Sequence, residues 1–436
     1  MRKFEFADAG RAIGQESIML DAFERAVEAA SPANCLGIER ASLLSGDALV
    51  LGAGKAAAAM AVAFNAAAEG GVRGLVVTRY GHGLKAGESA GAIEVLEAGH
   101  PDPDAASHAA AQRMLALARS IRPGETLWFL VSGGGSALLA LPLPGVTLDD
   151  KRRAAECLMH AGADIREINV VRRHLSAIKG GRLAAAAHPT PVHTLAISDV
   201  PGDRLADIAS GPTIPDPSSQ AEALAILEHY GCPVAATVRA ALANPANESP
   251  KPGDIAFAAD RAEVIADAGT ALDAAQSWLQ RQGFEVVRLG DDLDAHARAL
   301  GESHGQLALD AAAQGGRRAF LSGGETRVVV CRPGARGGRN LEYLSALALT
   351  LRGRAGVYAL AADTDGIDGN GDHAGGIVMP DLLARAQAQG LALEAALAVN
   401  STYDYFDQCK LLLKTGPTRT NVNDFRLILV DSTVQE

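Results

Sequence analysis

The chain predicts an α/β protein of two domains: a Rossmann-like N-terminal domain with a mostly parallel sheet, then a second α/β domain. Three observations lead there. Its 436 residues exceed what one hydrophobic core usually organises. Short apolar runs alternate with alanine-rich helical stretches, the pattern of a sheet covered on both faces. Several of those runs end in glycine loops, at the strand ends where open α/β sheets bind ligands.

In chain order, apolar residues at helical spacing from Ile18 to Ala30 predict an amphipathic lead-in helix, stopped near Pro32. Strands are expected at Ala48–Leu51, Gly74–Thr78, Ile93–Leu96, Leu127–Val131 and His193–Ile197. The polar, proline-rich stretch from Asn244 to Asp254 breaks this rhythm and sets the expected domains at 1–248 and 249–436. Beyond it, strands are expected at Ile255–Ala258, Val286–Leu289, Ala319–Ser322, Val328–Cys331, Val357–Ala361 and Leu427–Val430.

The formal charge of -11 disfavours nucleic acid or an anionic membrane as partner, since either calls for a basic surface. A small acidic ligand needs only a local cationic cluster. Cys35, Cys157, Cys232, Cys331 and Cys409 stand singly, without a C-x-x-C pair, which predicts reduced thiols and a cytoplasmic location. No apolar run is long enough to span a bilayer, and the N-terminus lacks the apolar stretch of a signal peptide.

The run Gly52-Ala-Gly54-Lys55-Ala-Ala57 leaves a predicted strand and opens a helix, a place that favours an anion. It is not a Walker loop, because Leu49 occupies the first glycine position and Ala56 the Ser/Thr position. It fits G-x-G-x-x-A, yet the next strand ends Thr78-Arg79 with no acidic group for a ribose; this disfavours NAD and leaves NADP open. The second loop, Ser132-Gly133-Gly134-Gly135-Ser136, could surround a phosphate with amides and hydroxyls, or simply make a serine-capped turn. Leu138, two residues after Ser136, excludes the hydrolase nucleophile elbow.

The densest cationic stretch holds Arg166, Arg172, Arg173, His174, Lys179 and Arg182, with a glycine break at 180–181, and suits carboxylate or phosphate. Asp199 and Asp203, then Ser210-Gly-Pro-Thr213, follow another strand. In the second half come Ser322-Gly-Gly324-Glu325 and Gly338-Arg339-Asn340. A lone arginine opening a helix that runs to Leu351 opposes the helix dipole, so an anionic partner is expected for it. The acidic run from Asp363 through Asp365 and Asp368 to His373 breaks EF-hand spacing but could serve magnesium, which needs fewer protein ligands.

Together with Gly99-His100-Pro101, Asn169-Val-Val-Arg172 and Thr415-Gly-Pro417-Thr418 through Asn421-Val-Asn423-Asp424, these stretches resemble the glycerate 2-kinases of the MOFRL type, whose bacterial members are often labelled hydroxypyruvate reductases. The resemblance spans nearly the whole chain. It implies an active site in an interdomain cleft and an ATP- and Mg2+-dependent kinase that phosphorylates D-glycerate on its 2-hydroxyl. The implied partners are that substrate and the nucleotide, with a homodimer as a further expectation. It makes Lys55 and Arg339 the main active-site cations; Asp199 or Asp365 is expected to hold magnesium or orient the hydroxyl. Gly52, Gly54, Ser132, Gly134, Gly135, Ser136, Arg172, Lys179, Ser322, Gly324, Glu325 and Asn340 are the implied substrate and nucleotide contacts. The alternative activity is an NADP-dependent hydroxypyruvate reductase.

Overall fold

The computed structural model describes residues 5–6, 14–36 and 46–433. Its strands are β1 (Glu5–Phe6), β2 (Ala48–Ala53), β3 (Val72–Arg79), β4 (Ala92–Ala98), β5 (Thr126–Val131), β6 (Val192–Ile197), β7 (Arg261–Ala266), β8 (Glu285–Gly290), β9 (Arg317–Ser322), β10 (Val357–Asp363), β11 (Gly375–Val378), β12 (Leu412–Lys414) and β13 (Asp424–Asp431). The chain forms two compact units: Pro32–Ile265, and Met1–Ser31 together with Ala266–Glu436.

The Pro32–Ile265 unit carries a sheet ordered β4-β3-β2-β5-β6-β7, with parallel pairing from β4 through β6. Continuous apolar runs form it because helices cover both faces: every residue of β2 is buried, and Leu49, Leu51, Leu75, Val77, Leu127, Phe129 and Val131 share one core. The chain runs from β2 outward through β3 and β4, then returns to lay β5 on the other side of β2. The strand order therefore reverses between β2 and β5, and the two glycine loops leave these two strands at that point. A second core, around Leu158, Val171, Leu175 and Leu227, packs the helices Leu148–His160, Ile165–His174 and Gln220–His229 together.

The other unit is built on a mixed seven-stranded sheet ordered β1-β12-β11-β10-β13-β9-β8, in which only β8 and β9 run parallel among the described pairings. The lead-in helix, Gln15–Ala29, belongs here. It packs along the Ala268–Arg281 helix and sets Phe23 against Phe425 of β13 with ring centroids 5.6 Å apart.

Several expectations need correction. The division falls at 265/266 rather than 248/249, because the proline-rich stretch is packed into its own unit: Arg182 donates to Asn247 O at 2.6 Å and Ser249 to Asp216 at 3.2 Å. Ile255–Ala258 is a short 3-10 turn opened by the side chain of Asp254, not a strand. Val328–Cys331 is an irregular segment with Val329 and Val330 exposed, because β-branched residues without a buried face have nothing to pair against. Cys157 and Cys232 are not free thiols but form a disulfide, their Cα atoms brought to 5.8 Å although 75 residues apart in sequence.

Candidate active site

At the β2/β5 reversal the two glycine loops are laced together. Lys55 N donates to Gly133 O at 2.9 Å, Ser132 N to Ala53 O at 3.1 Å and Ala56 N to Ser132 Oγ at 3.0 Å. Gly54 has φ +139°, and a Cβ there would lie 2.2 Å from Ser132 Oγ, so only glycine allows this lacing. The amides of residues 54–57 all donate within the protein, and the Lys55 side chain is half-buried. Gly134, in the left-handed region at φ +81°, gives the neighbouring loop a surface flanked by His100 Nε2 and the Lys55 stem, 2.8 and 3.4 Å from where its Cβ would sit.

Ser136 extends the same cradle. Its hydroxyl lies 3.1 Å from Ser210 Oγ, and Lys179 Nζ donates to Ser136 O at 2.6 Å and Oγ at 2.5 Å. Ala209 and Ser210 are both buried at positive φ, 53° and 60°, backbone strain of the sort that accumulates at ligand sites.

The cationic stretch divides by partner. Arg173 faces Asp216 at 3.0 Å and Asp207 at 3.5 Å, His174 faces Asp216 at 3.1 Å, and Arg182 donates to three backbone carbonyls; these hold the fold. The Asp216 carboxyl is buried, which opposes its charge, yet His174 and Arg173 hold it well below the usual range. Arg172 and Lys179 are different: among the described residues no carboxylate pairs with either, and burial pushes both pKa values down, that of Lys179 strongly. Asp199 is half-buried in the loop after β6.

In the other unit the site residues gather at the start of the Arg339–Leu351 helix. Asp368 caps that helix from outside, accepting from Asn340 N and Leu341 N at 3.1 Å each. The anionic partner expected for Arg339 is the protein itself: its guanidinium donates to Asp424 at 2.8 Å, Glu325 at 2.7 Å and Asp363 at 2.6 Å. Burial alone would lower the Arg339 pKa, but those three carboxylates raise it, so the group stays charged throughout the physiological range. Asp424 also accepts from Asn340 Nδ2 at 2.8 Å and Arg426 at 2.5 Å. Ser322 and Gly324 are buried supports, Gly324 O accepting from Asp424 N and from Arg426. A cavity of about 390 Å³ opens beside Arg339, lined by Val328, Val330, Gly338, Gly369, Asn370 and Asn400.

Among the described residues no three His, Cys, Asp or Glu side chains converge as a metal cage. Asp365 is buried, and its Oδ1 already accepts from Ile367 N at 2.8 Å. Magnesium keeps waters and substrate phosphates in its shell and needs only one or two such carboxylates. Lys151, on the stripe of the Leu148–His160 helix with Ala154 and Leu158, lies outside the residues singled out in the sequence.

A parallel sheet whose reversal point carries two interlaced glycine loops beside half-buried and buried cations is the layout at which open α/β proteins bind small ligands. Comparison with known proteins makes this specific. Residues 18–243 match a family model described as a domain of unknown function (DUF4147), and residues 318–424 match the MOFRL family. The chain is 36% identical to a D-glycerate 2-kinase of Thermotoga maritima over 95% of this chain and 98% of that one. It is 42% identical to a putative hydroxypyruvate reductase of Agrobacterium vitis, over 98% and 99% of the two chains. A crystal structure of glycerate kinase from Thermotoga maritima superposes with a TM-score of 0.85 at 35% identity, covering 95% of this chain and 99% of that one. The chain belongs to the glycerate kinase family with a MOFRL region. Among the described residues no helix is long and apolar enough to cross a membrane.

Proposed function

We propose that this protein is an ATP-dependent glycerate 2-kinase that transfers the γ-phosphoryl group to the 2-hydroxyl of D-glycerate, giving 2-phospho-D-glycerate and ADP in the cytoplasm. The observation that carries the reading is the pair of laced glycine loops at the β2/β5 reversal, presenting Lys55 beside the Ser132–Ser136 turn in a chain 36% identical to a D-glycerate 2-kinase. Phosphoryl transfer needs alignment and charge neutralisation rather than covalent participation by the protein, which suits such a cradle. In the proposed reaction the glycerate 2-oxygen attacks the γ-phosphorus in line while the bond to the ADP oxygen breaks. Lys55 neutralises the transferring group, and Arg339 is the proposed active-site cation of the Ala266–Glu436 unit. Arg339 can lend Nη1, because its partner there, Glu325, has a half-exposed side chain and is the weakest held of the three carboxylates. Asp199 or Asp365 orients the hydroxyl and accepts its proton, and the other would offer a carboxylate to a magnesium ion, which would supply positive charge to the phosphates.

The Agrobacterium relatives bear the name of a reductase, while β3 ends at Thr78-Arg79 without an acidic ribose contact. Two assays separate the readings. The kinase consumes ATP with D-glycerate; a reductase would oxidise NADPH with hydroxypyruvate and leave ATP untouched.

A further inference from the structure

Three cationic side chains in the Pro32–Ile265 unit, Lys151, Arg172 and Lys179, lie in one neighbourhood without a carboxylate to match them among the described residues. Lys151 sits in the first turn of the Leu148–His160 helix, on the stripe continued by Ala154 and Leu158. That stripe packs on Ile168, Val171 and Leu175 from the segment that also bears Arg172. The Lys151 stem is partly exposed, but its Nζ is shielded from solvent and has no hydrogen-bond acceptor. Lys179 Nζ donates to Ser136 O and Oγ, and Ser136 in turn touches Ser210, which sets two hydroxyls beside the cations.

Buried charge is normally paired, because an uncompensated ammonium costs several kcal/mol. This unit follows that rule a few residues away, where Arg173 and His174 meet Asp207, Asp216 and Glu248. The contrast between Arg172 and its helix neighbours Arg173 and His174, repeated at Lys151 and Lys179, marks these three as cations kept for something that arrives from outside. Burial, with Arg172 and Arg182 nearby, pushes the Lys151 pKa down to about 7, so an incoming anion would find it ready to take up a proton.

We infer that Lys151, Arg172 and Lys179, with the hydroxyls of Ser136 and Ser210, form a seat for one oxyanion, and that Lys151 is a ligand-binding residue of this enzyme. The occupant is a carboxylate or a phosphoryl group, supplied by glycerate or by the nucleotide. That choice of sources rests on the kinase reading; the seat itself does not.

Titration calorimetry on the full-length protein and on Lys151→Met tests it with three probes: inorganic phosphate, D-glycerate and a non-hydrolysable ATP analogue. The wild type should bind phosphate, and the methionine variant should bind it about tenfold or more weakly, the worth of one charge-assisted hydrogen bond. A parallel loss for D-glycerate assigns the seat to the carboxylate, and a loss for the analogue assigns it to the phosphoryl group. Lys151→Arg should restore most of the affinity. Because methionine removes an unpaired charge, the ligand-free variant should melt at or above the wild-type temperature; a lower melting temperature with unchanged binding marks a structural lysine and overturns the inference. So does a wild type that binds none of the probes, or a variant that binds all three as the wild type does. No turnover is involved, so absence of 2-phosphoglycerate formation would sink the kinase reading and leave this result standing.

Discussion

Arg339 shows how one side chain can be chemically legible and structurally hidden. Its place at a helix start called for an anion, yet the carboxylates that supply it lie 14, 24 and 85 residues away, beyond any local pattern. Arg339→Met would take the guanidinium away from Asp363 while Asp424 keeps Arg426 and Asn340, and we expect it to cost about 3 kcal/mol of stability by urea unfolding, besides abolishing turnover. Lys55→Ala is the opposite case. Its half-buried stem should leave the fold intact, with an unchanged unfolding midpoint and turnover reduced about a thousandfold or more. The buried lysines make stability depend on pH. With the Lys151 pKa near 7 in the folded chain and near 10.5 when unfolded, the unfolded chain binds more protons between those values. Its contribution therefore makes the ligand-free protein gain stability as pH rises from about 7 to 10.5. Lys151→Met should flatten that slope in unfolding curves recorded at neutral and alkaline pH.

Strands buried on both faces could be read from composition because every position is apolar; β2 and β5 fall close to where they were expected. β11 escaped, since Gly375 and Gly376 erase its β signature and only its neighbours β10 and β12 give it form. The loops were legible as glycine turns, but not their lacing, which depends on Ser132 reaching Ala56 across 76 residues. Gly54→Ala should break that lacing and lower both stability and activity, since its Cβ would collide with the Ser132 side chain and carbonyl alike. Asp368→Ala should cost about 0.5–2 kcal/mol by uncapping the Arg339–Leu351 helix, and it should raise amide exchange at Asn340 and Leu341 selectively.

For the chain as a whole, the sequence's most misleading feature was its proline-rich segment, which suggests a linker and is in fact hydrogen-bonded into its own unit. The first helix is the converse: it looks like an N-terminal preface and belongs with Ala266–Glu436. No local pattern reveals such a pairing, because the contact of Phe23 with Phe425 joins opposite ends of the sequence. Function was readable further than architecture, since the ordered set of short motifs survives where domain limits do not. The decisive measurement is the product of purified protein given D-glycerate, ATP and magnesium, resolved by an assay that separates 2-phosphoglycerate from 3-phosphoglycerate. Stoichiometric 2-phosphoglycerate and ADP, lost in Lys55→Ala, is the predicted result; NADPH oxidation with hydroxypyruvate and no ATP consumption would contradict it.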